Sequence, residues 1–222
     1  MRYLLLFLAV FVGFAVAQLI KNKDPKRFAL LLAFSGAFLL SVTLFEMMPE
    51  LFAGDSKDVG MYIMLGILLQ LVLDFFSKGA EHGHVHLHGN QQAFPILLFA
   101  SLSVHAVLEG FPVTGHDSIL YGVVVHKIPI AAILTLFFIK ANQSLGRILI
   151  FLTLFALMTP LGSYLAEHSE FLAAYKTPLN AIAVGVFLHV STTILFESNK
   201  DHGFNLTKML SIVLGIVLAY FL

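Results

Sequence analysis

Three side chains able to bind a metal lie inside apolar segments. His105 and Glu109 stand four residues apart in the stretch SVHAVLEG, and this spacing places both on one face of a helix. His126, followed directly by Lys127, lies in the next apolar segment. Two imidazoles and a carboxylate suit Zn²⁺ or a similar divalent cation and leave coordination positions for water or a moving ligand. We therefore predict a metal site at His105, Glu109 and His126.

The chain that carries these ligands must have lipid as its solvent. Hydrophobic residues make up 59% of it and charged residues 12%, with a mean hydropathy of +0.91, whereas a soluble domain has about 25% charged residues. The formal net charge is zero, which excludes a basic surface and with it nucleic acid as a partner. Because the chain has no cysteine, metal binding must use histidine, methionine and carboxylates.

Eight apolar segments position the candidate ligands, and each approaches the roughly 20 residues that a helix needs to cross a bilayer. With 222 residues, little is left for a soluble domain, so we predict one transmembrane domain over residues 1–222. The expected fold is an all-α bundle of about eight transmembrane helices. The segments are Tyr3–Ile20, Phe28–Met48, Val59–Ser77, Ala93–Val113, Ser118–Ile139, Leu145–Ala166, Thr177–Phe196 and Leu206–Leu222.

The distribution of basic residues predicts the orientation. The first segment also resembles a signal peptide, with Ala15, Val16 and Ala17 before Gln18, but its basic cluster follows the apolar stretch, which favours a retained helix. With the N-terminus outside, cytoplasmic loops hold nine lysines and arginines and the other side holds three. We expect both termini on the non-cytoplasmic side of a plasma or inner membrane.

The loop over residues 78–92 is rich in histidine, and in this orientation it is cytoplasmic. Histidine alternates there with small or apolar residues, a composition typical of metal-binding tracts. Such a tract favours capture or release of an ion, because a flexible segment cannot impose a coordination geometry. The alternative is an ordinary solvated loop. The four histidines are His82, His84, His86 and His88.

Further polar residues are candidates for a pathway through the bundle, since ionisable side chains are costly in lipid. Glu46 and Glu50 flank the outer mouth of the second segment, whereas Asp74 and Glu197 lie on the cytoplasmic side. His189 stands eight residues before Glu197 in the seventh segment. The alternative for Glu46 and Glu50 is ordinary solvation at a helix end. The alternative for His105 and Glu109 is that they only form hydrogen bonds with neighbouring helices.

The segment HAVLEG at 105–110, the following pair His126-Lys127 and the histidine-rich loop before them resemble the ZIP family of divalent-metal transporters. The resemblance implies an eight-helix inverted-repeat bundle with the fourth and fifth helices at the transport site, and His105, Glu109 and His126 as ligands. Ala106, Lys127 and Ile130 depart from the two-metal versions of this site. The second metal is therefore expected to be absent, with the charge of Lys127 in its place.

We predict a transporter and no enzyme, with Zn²⁺ or another divalent cation as the substrate and no prosthetic group. The ion would enter the cytoplasm by alternating access through a midplane site. An efflux carrier is the alternative for direction. An intramembrane zinc hydrolase using His105, His126 and His189 is a further alternative, but the chain lacks the His-Glu-x-x-His arrangement of metalloproteases. The sequence leaves a homodimer open.

Overall fold

The computed structural model describes residues 1–20, 25–54, 57–77, 95–115, 117–197 and 206–222. Within these ranges the chain is almost entirely helical and has no strand, which confirms the predicted all-α class. The histidine-rich loop with His82, His84, His86 and His88 lies outside the described residues, and so does the side chain of Glu197.

Seven helices in the described ranges are long and apolar enough to cross a membrane, and an eighth apolar helix of 15 residues is shorter. Their ends differ from the predicted segments by a few residues, as at the fourth helix, which begins at Ile96 after Pro95. We label the helices α1 (Arg2–Ile20), α2 (Pro25–Val42), α3 (Val59–Ser77), α4 (Ile96–Gly110), α5 (Asp117–Lys140), α6 (Leu145–His168), α7 (Lys176–Glu197) and α8 (Leu206–Tyr220).

Irregular turns interrupt the spans close to the candidate ligands. The α2 span continues through a π-helical turn, Thr43–Met47, into the short helix Met48–Phe52. The α4 span ends in a 3₁₀ turn, Phe111–Thr114, and α5 contains Pro129 in its interior. Proline removes a backbone donor from a helix, and π-helical turns are frequent at functional sites. The bundle is therefore least regular around its middle and at the ends of α2 and α4.

The helices form two groups of four. In the first group α1 packs on α5 and α6, and α4 packs on α6. In the second group α2 packs on α8 and α7, and α3 packs on α7. The groups meet where α2 contacts α5 and where α3 and α7 contact α4. Since α4 and α5 both belong to the first group, that group carries His105, Glu109 and His126.

Glycines allow the closest helix contacts inside each group. A Cβ on Gly66 of α3 would overlap the carbonyl of Ile182 on α7, and a Cβ on Gly162 of α6 would overlap the carbonyl of Val107 on α4. Gly122 of α5 faces α2 in the other group, and a Cβ there would still be 3.6 Å from the nearest α2 atoms. Backbones therefore pack directly within the groups, and the α2–α5 contact between them is looser at this point.

Candidate metal centre

The predicted ligands His105, Glu109 and His126 converge in the interior of the bundle. One ligand atom from each lies within 4.8 Å of the other two. His105 Nε2 is 3.1 Å and His126 Nε2 is 3.6 Å from Glu109 Oε1. The three residues are only 3%, 1% and 1% exposed, respectively. Two imidazole nitrogens thus share one carboxylate oxygen in a site that is closed to bulk water.

The second oxygen of Glu109 has a different neighbour, the ammonium group of Lys127. Lys127 Nζ lies 2.9 Å from Glu109 Oε2, and the same Nζ stands over the ring of Phe155, 4.7 Å from its centroid. The Lys127 side chain is 1% exposed. A buried charge is stable only when it is paired or coordinated, so Lys127 and Glu109 compensate each other and the ring adds a cation–π contact.

A residue that the sequence analysis missed, Gln70, connects this cluster to α3. Its Oε1 is 3.0 Å from His105 Nδ1, and its Nε2 donates to Asp74 Oδ1 at 2.9 Å. The spacing of Gln70 and Asp74, four residues in an otherwise apolar span, puts both on one helix face. That pair was a usable signal in the sequence, although its contact with His105 depends on how α3 packs against α4.

Asp74 and His189, two of the predicted pathway residues, form a pair near the end where α3 stops. His189 Nε2 lies 2.7 Å from Asp74 Oδ2, and each side chain is 15% exposed. His189 therefore pairs with Asp74 and is not part of the group formed by His105, Glu109 and His126. In the described part of the chain, the group of metal-binding side chains consists of His105, Glu109 and His126, so the three-histidine set expected for a hydrolase is not the one that assembles.

The opposite end of the bundle has a small, partly open pocket. Glu50 lines it, whereas Glu46 is half-buried in the π-helical turn, and an entrance role for either residue stays a prediction. Pro112, in the 3₁₀ turn that follows Glu109, also lines the pocket. The other lining residues are Met47, Leu51, Gly115, Ile119, Lys176 and Asn180.

The long apolar helices and the buried ligand cluster define an integral membrane protein with a candidate metal centre. Comparison with known families agrees with this class: the family model described as ZIP zinc transporter matches residues 77–222. The chain therefore belongs to the ZIP zinc transporter family. The family consists of transporters, in agreement with the prediction that the protein is not an enzyme.

Two curated proteins are similar to parts of the chain. Protein zntD from Dictyostelium discoideum is 28% identical over 162 residues, which cover 62% of this chain and 24% of that protein. Zinc transporter ZIP1 from Danio rerio is 27% identical over 122 residues, which cover 50% of this chain and 40% of that protein. The chain thus matches less than half of the length of either relative.

Proposed function

We propose that the protein transports divalent metal ions across a membrane, with Zn²⁺ as the favoured substrate, bound by His105, Glu109 and His126. The observation that carries this proposal is the convergence of three ligand atoms within 4.8 Å inside membrane-spanning helices. Buried ionisable side chains are rare in membrane helices and mark ion pathways. Imidazole and carboxylate groups are ligands that Zn²⁺ uses in proteins.

Charge balance favours a ligand role over simple helix-to-helix hydrogen bonding. Lys127 already neutralises Glu109 at 2.9 Å, so neither imidazole is needed to compensate the carboxylate. Nevertheless both His105 and His126 direct Nε2 toward the oxygen that Lys127 does not contact. A divalent ion near that oxygen would contact the carboxylate and both imidazole nitrogens, which supports a ligand role for all three residues.

The same geometry favours one bound ion. Glu109 offers Oε1 to the imidazole side, while its Oε2 faces the Lys127 ammonium group. A second cation at Oε2 would meet the positive charge of Lys127 at short range, where a low dielectric strengthens repulsion. The prediction of a single-ion site with Lys127 in place of a second metal therefore gains support from the contacts.

A path for the ion is supported at both ends. The pocket lined by Glu50 and Met47 lies beyond the end of α4, and the partly exposed pair Asp74 and His189 lies toward the other end. Carboxylate, imidazole and thioether groups are all able to contact a divalent cation in passing. We propose the Glu50 pocket as the outer mouth and Asp74 with His189 as the release side, so that flow is into the cytoplasm.

Alternating access fits the division into two helix groups. The ligands lie on α4 and α5 of one group, while Gln70, Asp74 and His189 lie on α3 and α7 of the other. Glycine contacts make each group compact. We propose that the groups rock against each other as units and so expose the ion first to one side and then to the other.

Metal flux into proteoliposomes tests the proposal with His105→Ala, Glu109→Ala and His126→Ala variants. His168→Ala and Glu170→Gln are matched controls, because both residues are exposed at the end of α6 or just after it. We expect the ligand variants to lose flux while the controls keep it. Undiminished flux in all three ligand variants would refute the site assignment.

Direction needs a separate measurement, because an efflux carrier would use the same site. Accessible cysteine labels at Lys57 and at Arg147, each introduced singly into this cysteine-free chain, report orientation in the liposome. Net Zn²⁺ movement from the Lys57 side to the Arg147 side supports uptake. Movement only in the reverse direction under the same gradients would assign the chain to efflux.

A further inference from the structure

Gln70 occupies a position that couples the metal cluster to the rest of the bundle. We propose that Gln70 is a positioning residue for His105: it holds the imidazole in the form with the proton on Nδ1, so that Nε2 is the metal-binding atom. The part of this inference that concerns metal affinity rests on the proposed function. The part that concerns the imidazole itself does not.

The contacts of Gln70 define a short chain of hydrogen bonds. Gln70 is fully buried, with 0% exposure. Its Oε1 lies 3.0 Å from His105 Nδ1, and its Nε2 donates to Asp74 Oδ1 at 2.9 Å. The other oxygen of Asp74 lies 2.7 Å from His189 Nε2. A buried amide with both ends in contact has little freedom to rotate.

Asp74 decides which way the Gln70 amide points. An ionised carboxylate only accepts hydrogen bonds, so the amide must present its NH₂ group to Asp74. The amide oxygen is then left for His105, and because this oxygen is also only an acceptor, His105 Nδ1 must carry the hydrogen. The reversed amide would put two acceptors against each other at 2.9 Å, at the contact with Asp74.

Fixing the proton on Nδ1 leaves the lone pair of the neutral His105 ring on Nε2. That atom faces Glu109 Oε1 at 3.1 Å, so two electron-pair donors face each other there, and a cation bound between them would relieve their repulsion. Metal-binding histidines generally donate their other ring N–H to a carboxylate or carbonyl oxygen, and this outer contact orients the ring. Gln70 supplies that acceptor here.

The hydrogen bond from His105 to Gln70 also crosses between the two helix groups, because Gln70 is on α3 and His105 is on α4. A motion that separates α3 from α4 breaks it and frees the imidazole to rotate. The affinity for the ion is therefore highest in this arrangement of the two helix groups and lower once the groups have shifted. Gln70 thereby links ion affinity to the position of the groups.

Nitrogen-15 NMR of the metal-free protein, labelled at histidine, tests the orientation of the proton directly. The His105 signal is identified by its loss in His105→Ala. We expect the Nδ1–H form in the unmodified protein and a mixture of both forms in Gln70→Met, which keeps the side-chain length but removes the amide. An Nε2–H form of the neutral ring in the unmodified protein, or no change in Gln70→Met, overturns the proposal.

Zn²⁺ affinity and transport kinetics test the consequence for metal binding. We expect Gln70→Met to weaken Zn²⁺ binding and raise KM by about 10- to 100-fold, the usual effect of losing such an outer contact, with a much smaller change in kcat. Gln18→Met on α1, outside the metal cluster, is the matched control and should change neither. Unchanged affinity and KM in Gln70→Met overturn the role in metal binding.

A double variant distinguishes positioning from a general need for glutamine. Gln70→Glu with Asp74→Asn reverses the hydrogen bond between the two residues while keeping an acceptor for His105 Nδ1 and one for His189. We expect it to restore much of the Zn²⁺ affinity, whereas Gln70→Glu alone places two carboxylates together and should not. If Gln70→Met fails to fold, the comparison of Gln70→Glu with the double variant tests the proposal instead. No recovery of Zn²⁺ affinity in the double variant overturns the proposal.

The two proposals fail in different ways. Full flux in His105→Ala would refute the assignment of His105 as a ligand, yet the Nδ1–H form could still be present in the NMR spectrum. Conversely, normal Zn²⁺ affinity in Gln70→Met together with loss of flux in His105→Ala would leave the metal site intact and remove only the role of Gln70.

Discussion

Two histidine–carboxylate contacts among the described residues, His105–Glu109 and His189–Asp74, differ in their surroundings. His105 and Glu109 are 4% and 1% exposed at their side chains, and Glu109 also faces His126 and Lys127. His189 and Asp74 are each 15% exposed and lie close to the end of α3. The first contact belongs to a dry cluster with several nitrogen neighbours. The second is a pair within reach of water.

Under the proposed function, this difference gives one pair of residue types two separate roles. A desolvated carboxylate requires compensating charge, which Lys127 supplies, and a divalent ion bound there exchanges its water for protein ligands. A partly hydrated pair leaves water available to replace protein ligands, which favours release. We therefore interpret the buried cluster as the place where the ion is held and the outer pair as the place where it returns to water.

The largest expected effect comes from breaking the charge balance of the buried cluster. Lys127→Met leaves Glu109 buried without its ammonium partner, which costs about 3–5 kcal/mol of stability in the metal-free protein. Zn²⁺ should then raise the melting temperature more than in the unmodified protein, because the ion replaces the lost charge. Thermal unfolding with and without Zn²⁺ measures both effects.

Stoichiometry and a second variant make the Lys127 result interpretable. Lys127→Met with Glu109→Gln removes both charges and should recover much of the stability. Calorimetric titration should still give one bound ion in Lys127→Met, and the Lys127→Ala variant should likewise show a changed rate or selectivity without a second ion. Two tightly bound ions in the unmodified protein would contradict the single-ion site.

The next effect sharpens the contrast between the two contacts. Glu109→Gln should weaken Zn²⁺ binding by about 100-fold or more, because it removes the carboxylate charge from the metal site. It also leaves the Lys127 ammonium group without its negative partner. Zn²⁺ titration of the purified protein measures the affinity, and Glu170→Gln is the exposed control. An affinity within a few-fold of the unmodified value would show that the buried cluster is not the binding site.

A smaller effect is expected at the outer pair. His189→Ala should slow Zn²⁺ flux by about tenfold while the equilibrium affinity of the buried site stays nearly the same, since Asp74 keeps its contact with Gln70. Initial rates over a range of Zn²⁺ concentrations separate the two quantities. A large rise in KM with an unchanged maximal rate would mean that the outer pair and the cluster act as one site.

The smallest expected effect is a several-fold fall in uptake as the external pH is lowered from about 8 to 5. Imidazole and carboxylate ligands must give up their protons to bind a metal, so protons compete with Zn²⁺ at the buried site. Uptake measured at fixed internal pH tests this. Flat uptake over the whole range would argue against direct competition.

The geometric relations that sequence can predict are those that depend on one helix at a time. The four-residue spacing of His105 and Glu109 requires only an α-helix, and the depth of His126 follows from its distance to the end of an apolar segment. Gln70 was missed for the opposite reason. A neutral amide has no charge that would single it out in an apolar span. Its contact with His105 depends on the packing of α3 against α4, which no local sequence pattern specifies.

The end of α2 shows a second limit. Glu46 and Glu50 are four residues apart, so a regular α-helix would place both on one face. The π-helical turn Thr43–Met47 includes Glu46 and changes the local helical repeat. Glu50 lines the pocket, while Glu46 is half-buried and is not among the lining residues. Their charges made both residues candidates in the sequence. The backbone irregularity between them, which the sequence pattern does not show, changes how the two side chains are placed relative to each other.

The pairing of Glu109 with Lys127 has a consequence for the response of the carrier to membrane potential. With both imidazoles neutral, the two opposite charges cancel, so the empty site carries no net charge, whereas the loaded site carries the full charge of the divalent ion. Each elementary charge that crosses 100 mV changes in free energy by about 2.3 kcal/mol. Voltage should therefore drive the loaded step of the cycle and leave the return of the empty carrier almost unaffected.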